Sequence, residues 1–225
     1  MLALLVALVL QDTAADLFKK VEEKYAEAKT LSLKSDIRIV VVKDGKEVER
    51  GRVSGTFRSR GDGEIHVETS ISLDGKEASK ATYVSDSRIL LMRLSGRAPE
   101  KKDHSLPLGL WMRRFCARIG LMASTGSAFG AVYRPDEIKL DKLFPVSGIE
   151  DGGKEKVGDV ECRILAYSVA QAQAGAPPLK CRIWVDPAKL AVLKHEIVGD
   201  TATIRETHTD VVFDGELKDD EFKIP

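Results

Sequence analysis

Two imidazoles and a carboxylate near the C-terminus carry the most chemistry this chain offers. If Gly199 to Ala202 closes a hairpin, His195 stands opposite Glu206 and diagonal to His208 on one strand face. Such a set could ligate zinc, which accepts imidazole nitrogens and carboxylate oxygens in a tetrahedron. The same face also carries Leu193, Ile197 and Ile204. A cross-strand His–Glu pair explains the residues without a metal, and it is the reading we prefer. We assign no metal, no cofactor and no catalytic residue.

Other reactive side chains lack the neighbours that would activate them. There is no Gly-x-Ser-x-Gly elbow, and Ser124-Thr125-Gly126-Ser127 lacks the lysine of a phosphate loop, so it reads as a hinge or cover loop. Cys116 with a distant histidine does not make a catalytic pair. Asp219, Asp220 and Glu221 are consecutive near the terminus and read as a solvated turn. His66 falls on a wet strand face and His104 in a polar loop, so both read as exposed. Arg113, Arg114 and Arg118 suit either the wet face of a helix or contacts with anionic head groups. Cys162 and Cys181 each open a Cys-Arg-Ile triplet on neighbouring strands. They are compatible with a bridge in an oxidising compartment or with two buried thiols.

The elements that must position these groups are mostly β. Odd positions Leu31, Leu33, Ile37, Ile39 and Val41 are apolar, while the even positions from Thr30 to Arg38 are polar or charged. This period of two marks a strand with one dry face and one wet face. Asp44-Gly45 suggests a two-residue hairpin loop, but pairing Lys43 with Lys46 would set Ile37 opposite Arg52. A three-residue loop pairs Ser35 with Val53 and Leu31 with Phe57, and keeps the dry faces together. Further strands follow from Ile65 to Leu73, Ala81 to Ser85 and Arg88 to Leu94. Ser95 to Ser105 reads as an exposed loop.

The pattern then changes. Leu108, Trp111, Met112, Phe115, Ile119 and Met122 recur at helical spacing from Leu106 to Ala123, an amphipathic helix set into a β protein. Ser124 to Gly130 reads as a loop, and a short helical turn is expected around Asp136 to Leu143. Strands resume near Val146–Glu150, Val160–Val169, Leu179–Val185, Ala191–Val198 and Thr203–Phe213. Together with a helix from Asp12 or Thr13 to about Lys29, this predicts one α+β domain with a large curved antiparallel sheet of about ten to eleven strands. The N-terminal helix and the central amphipathic helix cover the sheet.

The 225 residues hold 35 Lys and Arg against 35 Asp and Glu, so no basic excess points to nucleic acid. Leu2 to Leu10 are all apolar. That run is shorter than the roughly 20 residues needed to span a bilayer, and it fits the core of a secretory signal. The positive segment that should precede it is missing, so either the start codon is misplaced or the signal is atypical. Residues 1–15 are read as the signal, with a small-residue cleavage site at Thr13-Ala14-Ala15, and 16–225 as the exported domain. A buried N-terminal helix segment is the alternative.

Four stretches carry a family resemblance. They are the signal with its following helix, Lys154 to Leu165 (KEKVGDVECRIL), Ile183 to Pro187 (IWVDP) and Leu217 to Pro225 (LKDDEFKIP). The chain resembles the LolA/LolB-like family of bacterial outer-membrane lipoprotein carriers and lipoprotein-sorting proteins. The resemblance implies an incomplete β-barrel of about eleven strands, closed on one side by helices over an apolar cavity. It implies a non-enzymatic, monomeric periplasmic protein that binds lipid or the acyl chains of a lipoprotein. Related folds regulate envelope stress, so the alternative is an envelope interaction module acting on a membrane-bound anti-sigma factor or a similar partner. The carrier holds its closed state with an Arg in the sheet, which these motifs do not locate here. An apolar ligand in such a cleft would meet Ile37, Ile39, Val53 and Phe57 from the sheet. From the helix it would meet Leu108, Trp111, Met112, Phe115, Ile119 and Met122, the two thioethers adapting to variable shapes.

Overall fold

The computed structural model describes residues 12–76, 79–133, 144–170, 176–199 and 201–224. Among them, eleven strands form one antiparallel sheet that does not close on itself. The strands are β1 (Thr30–Lys43), β2 (Lys46–Arg60), β3 (Glu64–Leu73), β4 (Ser79–Asp86), β5 (Ile89–Leu94) and β6 (Glu100–Asp103), followed by β7 (Val146–Val157), β8 (Val160–Val169), β9 (Leu179–Asp186), β10 (Ala191–Val198) and β11 (Thr203–Phe213). Their spatial order, β6-β5-β4-β3-β2-β1-β11-β10-β9-β8-β7, is two meanders joined along β1 and β11. The incomplete barrel expected from the sequence is the observed architecture.

Two helices cover the dry face. Thr13 caps α1 (Ala14–Glu27), its Oγ1 accepting from the Asp16 amide at 3.1 Å. α1 buries Leu17, Phe18, Val21 and Tyr25. α2 (Leu108–Tyr133) inserts between the meanders. It is broken at Gly120, whose φ of 73° and ψ of 177° divide it into limbs of residues 108–119 and 121–133. Ser124 to Gly130 is therefore helical, not a loop. The Ser124 hydroxyl donates to the Gly120 carbonyl and Thr125 Oγ1 to the Leu121 carbonyl at 2.7 Å, so these hydroxyls bond backward along the helix. The helical turn expected around Asp136 to Leu143 lies outside the described residues.

The β1–β2 register departs from the expected one in an instructive way. Asp44 and Gly45, with φ of 52° and 73°, form the two-residue turn, and Lys43 does pair with Lys46. A bulge at Arg50 then shifts the ladder, so Ile37 faces Val53 and Leu33 faces Phe57. Matching of dry faces holds, but through a bulge and not a longer loop. β6 also lies inside the stretch read as a loop. It is a short charged edge strand, a form that discourages pairing with other chains.

Candidate functional site under the broken helix

The dry face of the sheet is mainly apolar, with buried Ser59 and Ser85 at one end and a denser polar island on β1, β10 and β11. Ser35 of β1 pairs with His208 of β11, Ile37 with Glu206, and His195 of β10 with Glu206. Ser35, His195, Glu206 and His208 are all at most 5% exposed. The break in α2 sits directly on this island.

Glu206 is the centre. Its carboxylate accepts from the Leu121 amide at 2.9 and 3.1 Å, from Ser35 Oγ at 2.6 Å and from His208 Nε2 at 2.6 Å. It thus caps the free N-terminal amide of the second limb, where the helix dipole favours negative charge. His208 Nδ1 donates to the Val192 carbonyl at 3.0 Å. Both ring nitrogens of His208 are thus engaged, one at the Val192 carbonyl and one at the Glu206 carboxylate. Burial pushes the Glu206 carboxyl up, but the His208 charge and the hydrogen bonds of His208 and Ser35 outweigh it and hold the pKa down to about 2. Gly120 is demanded twice, by its positive φ and because a Cβ there would run into Glu206 Oε2.

The first limb ends on the same island. His195 Nε2 lies 3.4 Å from the Ala117 carbonyl, and the Tyr167 hydroxyl donates to the Arg118 carbonyl. Arg113 ties this limb to two other elements. It is 1% exposed and donates to the Tyr25 carbonyl at 3.1 Å and the Gly61 carbonyl at 2.6 Å. The arginine cluster is therefore not one wet face. Arg113 is internal, Arg118 is half-buried against Glu22, and Arg114 is exposed.

Seven of the ten expected ligand residues, Ile37, Val53, Phe57, Leu108, Met112, Phe115 and Ile119, are buried at 3% exposure or less between sheet and α2. Ile39, Trp111 and Met122 are half-buried. Leu31, Leu33, Ile65, Val67 and Ile183 complete the packing. Two of the grooves that open instead on the outer face are lined by β3. One of about 550 Å³ is floored by Ser54, Gly55, Thr56 and Ser70. The other, of about 820 Å³, lies between β3, β4 and the C-terminal turn. That turn, the 3-10 helix Asp219–Phe222, is docked and not merely solvated. Phe222 is 2% exposed, and Arg60 holds Asp219 at 2.5 Å.

His195, Glu206 and His208 do share a face, but His208 and Glu206 are committed to hydrogen bonds, and no group of three metal-ligating side chains occurs among the described residues. His104, half-buried, accepts the Leu106 amide at Nδ1 (3.2 Å), so its Nε2 carries the proton and donates to Ser85 Oγ at 3.0 Å. That is the wrong direction for activating a nucleophile. His66 is likewise half-buried, with Nδ1 2.7 Å from the Glu221 carbonyl. Cys162 packs with Trp184 on the outer face and Cys181 joins the core on the dry face. Both are free, as is Cys116. Burial pushes the Cys181 thiol up to about 12.

The sequence clues to this site were partial. Hairpin register located His195, Glu206 and His208 together. Ser35 was overlooked, although it is the one odd position between Leu33 and Ile39 that breaks the apolar series. Arg113 carried no signal beyond lying next to Met112 on the helix.

No protein-family model matches the chain, and no curated protein matches it. Solved structures do. LprF from Mycobacterium bovis aligns with a TM-score of 0.52 at 7% identity over 91% of this chain and 94% of that one. Lipoprotein LppX from Mycobacterium tuberculosis aligns with a TM-score of 0.51 at 9% identity over 91% and 97%. A LolA superfamily protein from Nitrosomonas europaea matches over 95% of this chain at 12% identity, with a TM-score of 0.35 that is too low to argue from. At these identities the likeness is one of architecture, and this chain shares the fold of LprF and LppX.

Proposed function

We propose that the protein is an exported, non-enzymatic carrier or sensor that takes lipid or lipoprotein acyl chains between the sheet and α2. The observation that carries this reading is the construction of the roof. An unclosed sheet exposes an apolar face, and here α1 and a broken α2 with an apolar underside cover it. Lifting α2 would present Ile37, Ile39, Val53 and Phe57 opposite Leu108, Trp111, Met112, Phe115, Ile119 and Met122. Each acyl CH₂ transferred from water to such a surface contributes about 0.8 kcal/mol, so a long chain needs no polar anchor. The fold shared with a lipoprotein, LppX, supports the reading. No helix among the described residues is long and apolar enough to cross a membrane.

The second reading is an envelope interaction module that acts on a protein partner such as an anti-sigma factor. The tight packing beneath α2 favours it, because a filled interior offers an acyl chain nothing until the helix moves. Native mass spectrometry of the purified protein separates the two. A co-purifying lipid, displaced by added fatty acid with a change in Trp111 fluorescence, is the result expected of a carrier. A protein that stays empty and takes up no fatty acid at saturating concentration, yet captures a protein partner, would replace the first reading with the second.

A further inference from the structure

Among the described residues five large apolar side chains are exposed, and four of them gather at one end of the sheet. They are Val42, Val48, Leu73 and Val198, with Val42 72% exposed. This end is built by the β1–β2 hairpin, which outruns its neighbours. β11 stops pairing at Thr203, opposite Val40, and β3 stops at Leu73, opposite Gly51. Beyond those points Val41 faces Val48 and Val42 faces Glu47, and the two strands pair only with each other.

The projecting ribbon is apolar on both sides. Val41 and Val48 continue the dry face past Ile37 and Ile39. Leu73 joins them by lying across Gly51, where an added Cβ would sit 2.5 Å from one of its methyls and 3.5 Å from one of Ile39. Val42 lies on the outer face with Val40 and Val198, the last two flanking Thr203. Glu47, the partner of Val42, faces the same way, since Arg205 on the outer face holds it at 2.7 Å. A folded partner or a second copy of this chain covers one side of such a ribbon and leaves the other wet. The interfacial zone of a bilayer surrounds both. The charges agree. Glu47 is held by Arg205, Arg38 lies 4.0 Å from Glu49, and Arg50 lies 2.8 Å from Asp74. Lys43 and Lys46, paired across the turn, have no ion-pair partner among the described residues and outnumber Asp44 between them. Their stems can lie along the valines while their ammonium groups reach lipid phosphates.

We propose that the tip of the β1–β2 hairpin docks the protein on a bilayer that contains anionic lipid, with Val42 and Val48 entering the head-group layer and Lys43 and Lys46 at the phosphates. Entry is shallow, because the free edges of the ribbon carry unpaired backbone amides and carbonyls that hydrocarbon does not satisfy. The dry strip Ile37–Ile39–Val41 runs from beneath α2 to this tip, so docking sets the end of the apolar face against the lipid. The docking rests on the hairpin and not on the carrier reading.

Flotation of the full chain with vesicles of phosphatidylcholine mixed with phosphatidylglycerol, and with vesicles of phosphatidylcholine alone, tests it. The protein should float with the mixed vesicles and more weakly with the neutral ones. Val42→Asp should lower partitioning about tenfold on both. The double variant Lys43→Gln, Lys46→Gln should lower it about tenfold on the mixed vesicles only. Val212→Asp changes an exposed valine at the other end of the sheet and should leave flotation as it was. If thermal unfolding shows that Val42→Asp disturbs the hairpin, Val42→Thr keeps the branched shape and is read in the same direction. No flotation with mixed vesicles, flotation that survives the Val42 variants, or an equal loss in Val212→Asp would overturn the proposal. So would a dimer in sedimentation that Val42→Asp dissolves, which makes a second copy the occupant. Fatty-acid uptake by the same samples is scored separately. Docking without uptake keeps this proposal and removes the carrier reading, and uptake without docking does the reverse.

Discussion

The two limbs of α2 lie on one sheet but are not held identically. Residues 108–119 bury Leu108, Met112, Phe115 and Ile119 at no more than 1% exposure and add the internal guanidinium of Arg113. Residues 121–133 bury Leu121, Phe129 and Val132 together with the smaller Ser124, Thr125, Ala128 and Ala131, and begin on the Glu206 carboxylate. Apolar burial contributes roughly 25 cal/mol per Å² regardless of pH. A carboxylate cap is directional and holds only while it is ionised. Both limbs thus share the apolar core, and the second adds a start that depends on an ionised Glu206.

The largest expected effect lies in the first limb. Phe115→Ala, which removes a ring packed edge-on to Phe144, should cost about 3–5 kcal/mol of global stability in urea denaturation. Arg113→Met should cost about 2–3 kcal/mol by stranding the Tyr25 and Gly61 carbonyls, again as a global loss. In the second limb, Glu206→Gln should cost about 2 kcal/mol, read chiefly as faster exchange in residues 121–133. If it instead lowered protection of every strand by the same factor, the distinction between the limbs would be wrong. Ser35→Ala removes one donor from Glu206 and should cost about 1 kcal/mol, confined to the same limb.

Acid should sharpen the contrast. Glu206 and His195 both have folded pKa values below their ordinary ones, about 2 against 4.5 and about 3 against 6.5. The unfolded chain therefore binds more protons, and stability present near neutrality is lost as pH falls from about 6.5 toward 2. Phe115→Ala should leave the shape of that profile unchanged, whereas Glu206→Gln should flatten its lower part.

How much of this could be read from the chain follows the same division. Alternation along β1 and the turn at Gly199 revealed the sheet and placed His195 opposite Glu206, because a strand's period of two constrains every residue at once. The bulge at Arg50 left no such trace, since one extra residue in a charged hairpin changes no pattern. β6 was missed because all four of its residues are charged and exposed, which removes the alternation. Residues 124–130 of the second limb were taken for a loop because Ser, Thr, Gly and Ala carry weak helix signals when their hydroxyls are assumed to face water. The buried state of Arg113 depends on where α1 and the β2–β3 turn place their carbonyls, which is a property of the assembled fold.

The strand order has a consequence for how the molecule is made. Every neighbouring pair of strands is a hairpin of close sequence neighbours except β1 and β11, where Ser35 and Glu206 meet across 171 positions. Each meander can zip up early, but sewing the two together must await a long search and should set the folding rate. The anchor for the helix break straddles that seam, so it comes into being only once the last stitch is in.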